Sequence, residues 1–247
     1  MSLFNDQLKK ITLIELMVVI IILFSIQFVL DFYNIFSLDS IWISIIIILF
    51  FALKLRNNLN CVPGDIKEIF TFEILKSILI IVILNICLSY TCLFVADFIS
   101  NNFLSVDTAS NNILNNTLFA IILISPIFEE LIFRGVLFNR LKLFIPTIFA
   151  VLISALIFAS FHPFGNIFSS FIFGISMVLL YLKTENIFIP ITAHFLNNLL
   201  AEIIVFIDKS NIIFNNASVR DIIAIVGFYS LMIIVYWIVK QLNSIKE

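Results

Sequence analysis

The chain of 247 residues is a series of apolar runs joined by short polar linkers. A helix of about 20 apolar residues crosses the hydrocarbon core of a bilayer, and eight of them would use roughly 65% of this chain, close to its 62% hydrophobic content. We therefore predict an all-α fold, a polytopic membrane helix bundle with about eight transmembrane helices. The predicted spans are 11–30, 41–55, 74–98, 113–128, 143–161, 164–182, 187–207 and 222–239.

Composition excludes several other classes of protein. Charged residues make up 12% of the chain, whereas soluble domains carry about 25%. The net charge of -2 and the lack of a Lys or Arg run argue against nucleic-acid binding. The three cysteines are an odd number, so no disulfide framework is implied. The bilayer itself is the partner that composition predicts.

Basic residues predict the orientation in the membrane, because cytoplasmic loops retain Lys and Arg. With a cytoplasmic N-terminus, eleven Lys and Arg residues fall in cytoplasmic segments and two, Lys209 and Arg220, fall outside, with Arg134 set aside. We predict a multi-pass protein of the bacterial plasma membrane with both termini in the cytoplasm.

The first span begins like a type IV prepilin, but Lys10 stands where that family needs Gly, so we interpret it as a retained span.

Three ionisable residues lie close together at the end of the fourth apolar run. Charges within a bilayer are costly and usually functional. Glu130 and Arg134 are four residues apart with the acid first, which favours an ion pair on one helical face. Glu129 points about 100° away from Glu130 and is the carboxylate left free to take a proton. A structural ion pair with one spare Glu at a helix end is the alternative interpretation.

Both histidines of the chain, His162 and His194, lie within or at the edge of apolar segments. His194 and Asn198 are one helical turn apart, so a ring N–H and an amide NH₂ project from the same face. A single membrane histidine is more often a packing residue. Two histidines and a Glu-Glu pair in such places are harder to attribute to packing.

The helical rise predicts how deep these groups lie in the membrane. Glu129 lies about 21 Å above the turn near 143, and His162 about 24 Å above Pro146, so their levels match. His194 comes out shallower, at about 14 Å from Glu185. Ordinary helix tilts of about 20° reduce this offset.

Three short motifs, Glu129-Glu130-x-x-x-Arg134, Phe158-x-x-x-His162 and His194-x-x-x-Asn198, occur in this order. Together they resemble the motifs of the CPBP intramembrane proteases, the CAAX protease and bacteriocin-processing (Abi) family. The resemblance covers about residues 113–207. We predict three parts: N-terminal transmembrane helices over 1–110 with about three spans, a catalytic helix core over 111–210, and a last transmembrane helix with a cytoplasmic tail over 211–247.

The resemblance also implies roles for the motif residues. Glu129 would be the general base that activates water, assisted by His162, while His194 and Asn198 would stabilise the oxyanion. Glu130 and Arg134 would support the site. A Glu base suits hydrolysis near neutral pH, and two convergent donors suit an oxyanion. No Ser, Cys or Thr carries a nucleophile motif, so we predict direct attack by water on a peptide bond.

A metal is the main alternative for the chemistry, since the family is often called metal-dependent. Glu129, His162 and His194 are a plausible ligand set for Zn²⁺, although the H-E-x-x-H motif is absent. If all three were metal ligands, only Glu130 would remain as a general base, and it is already predicted to form an ion pair with Arg134. We favour metal-independent activation of water and keep Zn²⁺ as the alternative.

Three functions compete on the sequence alone. The first is an intramembrane endopeptidase acting on a membrane-associated peptide or protein. The second is a bacteriocin self-immunity protein, acting with or without proteolysis. The third, a transporter or ligand-binding protein, lacks the internal repeat that many transporters show. The Ile- and Asn-rich composition suggests a bacterium, which favours a peptide precursor over a prenylated substrate.

We interpret Glu202 as a snorkelling or packing residue, with cavity lining as the alternative.

Overall fold

The computed structural model describes residues 3–33, 40–61, 69–103, 118–210 and 214–245, and within these ranges it is helical and contains no strand. The all-α prediction is confirmed. We number nine helices in chain order, and their bounds are α1 Leu3–Leu8, α2 Leu13–Phe32, α3 Ser40–Leu55, α4 Phe72–Phe103, α5 118–141, α6 Thr147–Ser160, α7 Ile167–Thr184, α8 Phe188–Ile207 and α9 Ala217–Ile245.

Six of the helices are long and apolar enough to cross a bilayer, namely α2, α3, α4, α7, α8 and α9. Except in α7, most of their side chains face outwards; in α2 only Leu16 and Leu23 of 20 residues are buried. Such a surface has to be covered by lipid rather than water. The chain is therefore a multi-pass membrane protein. α5 and the 14-residue α6 correspond to the fourth and fifth predicted spans, but neither is among these six helices. The count of eight transmembrane helices therefore stays a prediction.

Helix α5 departs from regular α-helix in two places. Wider π-helical turns, with i→i+5 bonding, run over Ala120–Ile124 and Leu131–Phe138 and flank the α-helical segment Ser125–Glu130. The helix continues past Glu129, as the sequence predicts, while residues 113–117 of that span lie outside the described residues. π-helical turns are frequent at functional sites, and here they bracket the Glu-Glu pair.

The bundle is built around the buried helix α7, which packs mainly against α6, while α4 packs along α9. Gly227 of α9 allows the close approach of α4, since a Cβ there would lie 1.9 Å from Thr91 Oγ1 and 2.7 Å from Thr91 Cβ. The Thr91 hydroxyl donates to the backbone oxygen of Ile223, 3.0 Å away on α9. Small residues with interhelical hydrogen bonds are a common basis of membrane helix packing.

We expect Gly227→Ala to destabilise this helix pair by about 1–3 kcal/mol, the usual cost of overpacking. The added methyl would displace the Thr91 side chain and break its bond to Ile223. Thermal unfolding of the detergent-purified protein measures the loss. Thr91→Ala in the same chain should recover part of it, because it removes the atoms that clash. Equal stability of Gly227→Ala and the parent protein would show that α4 and α9 pack otherwise.

One end of the bundle, which we call the basic end, is closed by α1. It comprises the starts of α2, α4, α6 and α8 and the ends of α3, α5, α7 and α9. Arg140, at the end of α5, donates to the backbone oxygens of Ile11 (2.9 Å) and Lys9 (3.0 Å). The side chain of Asn5 accepts from the backbone N–H of Ile187 at 2.9 Å. We call the opposite end the acidic end.

Candidate active site

A cavity of about 980 Å³ opens between α2, α3, α5, α6 and α8. Its wall is mainly Ile and Phe side chains. The four residues predicted to be catalytic all line it, and they are Glu129, His162, His194 and Asn198. The structure thus brings together residues from three separate helical segments. The roles assigned to them remain predictions.

Beneath the cavity, Glu130 contacts both Arg134 and His194. Its Oε1 accepts from Arg134 Nη1 at 3.0 Å and contacts His194 Nδ1 at 2.9 Å. Arg134 also donates to the backbone oxygen of Gly174 at 3.0 Å and lies 4.4 Å from the ring centroid of Phe158. Glu130 and Arg134 are completely buried. A carboxylate that is paired with an arginine can only accept hydrogen bonds, so the Nδ1 atom of His194 carries a hydrogen and donates it to Glu130. The Nε2 atom points the other way.

Glu129 faces the cavity, and its two oxygens have different surroundings. Ser125, one turn earlier, donates a hydrogen bond to Oε1. Oε2 is buried, accepts no hydrogen bond from the described residues, and lies 3.9 Å from His194 Nε2. Glu129 is therefore held on one side and available on the other. It does not bond to Arg134, in agreement with its predicted position on the helix.

Glu129 and His194 lie close together, although the sequence predicts different depths in the membrane for them. The estimate for Glu129 used the α-helical rise over the whole segment from 129 to 143. Most of that segment, Leu131–Phe138, is π-helical and climbs less per residue, because each turn holds more residues. The α-helical rise therefore overestimates the distance of Glu129 from the turn near 143, which reduces the predicted offset from His194.

His162 lies just past the end of α6. Its Nδ1 is 3.1 Å from the backbone oxygen of Phe158, one turn earlier, and its ring stacks at a tilt on the Phe158 ring with centroids 4.7 Å apart. A carbonyl oxygen only accepts, so Nδ1 carries the hydrogen and Nε2 keeps its lone pair. The imidazole is thus fixed in one tautomer by the motif residue that precedes it.

The position of Asn198 depends on a proline in α5. Pro126 has no N–H, and in a π-helical turn its partner would be the backbone oxygen five residues back, on Ile121. Asn198 Nδ2 donates to that oxygen at 2.9 Å. One hydrogen of the amide is used there, and the second remains for another acceptor. The side chain lines the cavity one turn beyond His194.

A chain of amides extends from Asn198 to α4. Asn197 Nδ2 is 3.4 Å from Asn198 Oδ1, and Asn85 Nδ2 donates to Asn197 Oδ1 at 2.9 Å. Asn85 is buried, with 3% of its surface exposed. The chain fixes the orientation of the Asn198 amide from behind, in addition to the bond to Ile121.

Sequence reasoning missed several residues of this site. Ser125 was not identified, although Ser at i and Glu at i+4 lie on one helical face, which is a readable signal. Gln27 of α2 and Ser44 of α3 also line the cavity, and nothing in 1–110 marked them. Glu202 lines the cavity as well, which favours the alternative interpretation of that residue over snorkelling.

The donor set can be tested as a metal site on its geometry. Both histidines have Nδ1 bonded to an oxygen, an arrangement that is common for imidazole ligands. However, among the described residues no group of three His, Cys, Asp or Glu side chains is placed to hold a metal ion. The residues as arranged do not fit a three-ligand zinc site, and we derive no step through a metal.

Comparisons with known proteins agree with the motifs. The model of a protein family described as "Type II CAAX prenyl endopeptidase Rce1-like" matches residues 112–200, which contain Glu129, His162, His194 and Asn198. No curated protein and no solved structure matches the chain. The family description is that of an endopeptidase, so the match implies a protease. Over this segment, about a third of its length, the chain is similar to the type II CAAX prenyl endopeptidases, in agreement with the resemblance to the CPBP proteases.

Proposed function

We propose that the protein cleaves a peptide bond of a membrane-associated peptide or protein with water activated by Glu129. Glu129 takes a proton from a water molecule, and the oxygen of that water attacks the carbonyl carbon of the substrate. The tetrahedral intermediate collapses as the C–N bond breaks, and the leaving nitrogen receives the proton from Glu129. General acid–base transfer of this kind contributes about 10²–10⁴-fold to a rate.

The observation that carries this proposal is the asymmetric environment of Glu129. Ser125 holds Oε1, while Oε2 is buried at the cavity wall without a donor among the described residues. A base must be in reach of the proton that it takes, and here one oxygen is free to do so. In this proposal His162 Nε2, which keeps a lone pair, orients the same water.

The positions of His194 and Asn198 at the cavity wall support a role toward the oxyanion. His194 lies between two carboxylates, with Nδ1 2.9 Å from Glu130 and Nε2 3.9 Å from Glu129. Because Nδ1 already donates to Glu130, a donor role for Nε2 towards the oxyanion requires a hydrogen on both ring nitrogens. The second amide hydrogen of Asn198 is the other donor. Preorganised donors in a low-dielectric site stabilise a developing oxyanion strongly.

The substrate class follows from the wall of the cavity. Ile20, Phe24, Ile43 and Ile47 of the N-terminal helices face the catalytic residues across it. An apolar segment of a membrane-associated peptide matches this lining, since polar side chains would be desolvated there without partners.

The test is cleavage by the purified protein in proteoliposomes, with a library of apolar peptides and mass spectrometry of the products. We expect cleavage to persist after metals are removed with a chelator, because Glu129 needs no metal to take a proton. Complete loss of activity that zinc restores would overturn the metal-independent mechanism. A library cut only at lipidated C-termini would overturn the proposed substrate class.

We expect Ser125→Ala to lower kcat about tenfold or more with little change in KM, since a hydrogen bond to a charged group contributes about 1.5–3 kcal/mol. Ser125 contacts Glu129 and acts as a positioning residue. Ser125→Thr keeps the hydroxyl and should restore most of kcat. Ser176→Ala is the matched control, because it removes a buried hydroxyl that, among the described residues, bonds to Ile172 of its own helix. An unchanged kcat for Ser125→Ala would refute this role.

A further inference from the structure

The residues that line the catalytic cavity lie in the middle of the bundle and towards its acidic end. They come from the middle and second half of α2, the first half of α3, the first two thirds of α5, the end of α6 and the middle of α8. Because consecutive helices run in opposite directions, the cavity extends from the middle of the bundle to the acidic end.

The exposure of the lining residues shows where the cavity opens. His194 and Phe158 form its floor, and only 3% and 1% of their surfaces are exposed. At the acidic end Phe161 is 76% exposed. At the basic end α1 closes the bundle, and its Asn5 and Leu8 have no exposed surface. The mouth of the cavity is therefore at the acidic end.

The connection between α6 and α7 leaves room for water at this mouth. α6 has 14 residues and is about 21 Å long, shorter than the hydrocarbon core of about 30 Å. The following turn packs on α4, where a Cβ at Gly165 would lie 3.0 Å from Leu93 Cδ2. α4 continues ten residues beyond Leu93, about 15 Å. His162 thus lies in a recess below the end of α4.

Charge assigns the two ends to the two sides of the membrane. Among the described residues the basic end carries nine Lys and Arg residues, and the acidic end carries two, Lys209 and Arg220. The acidic end also carries five carboxylates, at Asp31, Asp97, Glu202, Asp208 and Asp221. Basic residues remain in the cytoplasm, so the basic end is cytoplasmic and the acidic end is extracytoplasmic.

We propose that the active site opens to the extracytoplasmic face and takes peptides that reach the membrane from that side, either exported precursors or external peptides. Substrates confined to the cytoplasmic leaflet are then out of reach, since α1 and the packed basic end separate them from Glu129. This substrate class rests on the proposed function, whereas the direction of the cavity does not.

The experiment is labelling of single cysteines with a membrane-impermeant maleimide in a chain that carries Cys61→Ser, Cys87→Ser and Cys92→Ser. Lys209→Cys reports the acidic end, and Lys183→Cys, also an exposed lysine, is its matched control at the basic end. Ala201→Cys reports the cavity itself. Labelling is compared between intact cells and inside-out membrane vesicles.

We expect the Lys209→Cys and Ala201→Cys variants to react in intact cells and the Lys183→Cys variant only in inside-out vesicles. Reaction of Lys183→Cys in intact cells would overturn the orientation. Reaction of Ala201→Cys only in inside-out vesicles, or in neither preparation, would overturn the position of the mouth. None of these results depends on proteolysis, so the sidedness can fail while the proposed activity stands, and the reverse.

Discussion

Glu129→Gln is expected to reduce peptide cleavage by about 10²–10⁴-fold, the contribution of a general base, while the protein still folds. The amide has nearly the shape of the carboxylate and keeps an oxygen that can accept from Ser125. It cannot take a proton from water. The measurement is the single-turnover rate in proteoliposomes with a peptide that the parent protein cuts, alongside a thermal unfolding curve.

The matched control is Glu73→Gln, which changes an acid in the first turn of α4, far from the cavity, and should keep the parent rate. A Glu129→Gln protein that is folded and fully active would refute the proposed mechanism. The same variant separates proteolysis from self-immunity. An immunity protein that only occupies a receptor would still protect its cell, whereas one that acts by proteolysis would not.

Arg134→Met is expected to destabilise the fold by about 3–5 kcal/mol, the usual cost of removing one partner of a buried ion pair. Glu130 would be left without its cation, although neither residue has any exposed surface. The backbone oxygen of Gly174 would lose a donor as well. Thermal unfolding in detergent gives the change in stability.

Two further variants identify the cause. Glu130→Gln combined with Arg134→Met removes the uncompensated charge and should be more stable than Arg134→Met alone. Arg140→Met, on the same helix, removes an arginine that among the described residues donates to two backbone oxygens, so a smaller loss of about 1.5–3 kcal/mol is expected. Equal losses for Arg134→Met and Arg140→Met would show that packing, and not the buried charge, determines the effect.

Local spacing made part of the site predictable. Glu130 and Arg134 are four residues apart, so their pair could be read from one helix, and the structure contains it at 3.0 Å. The same geometry placed Glu129 on another face. Apolar runs likewise gave the helices, because a bilayer imposes both length and hydrophobicity.

Contacts between distant segments could not be read in this way. His194 meets Glu130 across 64 positions, and no periodicity reports which helices become neighbours. The bond from Asn198 to Ile121 depends on a π-helical turn, which the 3.6-residue pattern does not reveal. The share of α2 and α3 in the cavity wall was hidden for a simpler reason: their lining residues are Ile and Phe, like those that face lipid.

The shortness of α6 has a consequence for the surrounding membrane. Its outer face exposes Phe149, Leu156 and Ile157, yet the helix is too short to match an average bilayer. Lipids next to it have to shorten or tilt their chains, at a cost of a fraction of a kcal/mol per Å of mismatch. We therefore expect the bilayer to be thinner beside α6, and membranes of short-chain lipids should accommodate the protein more readily than thick ones.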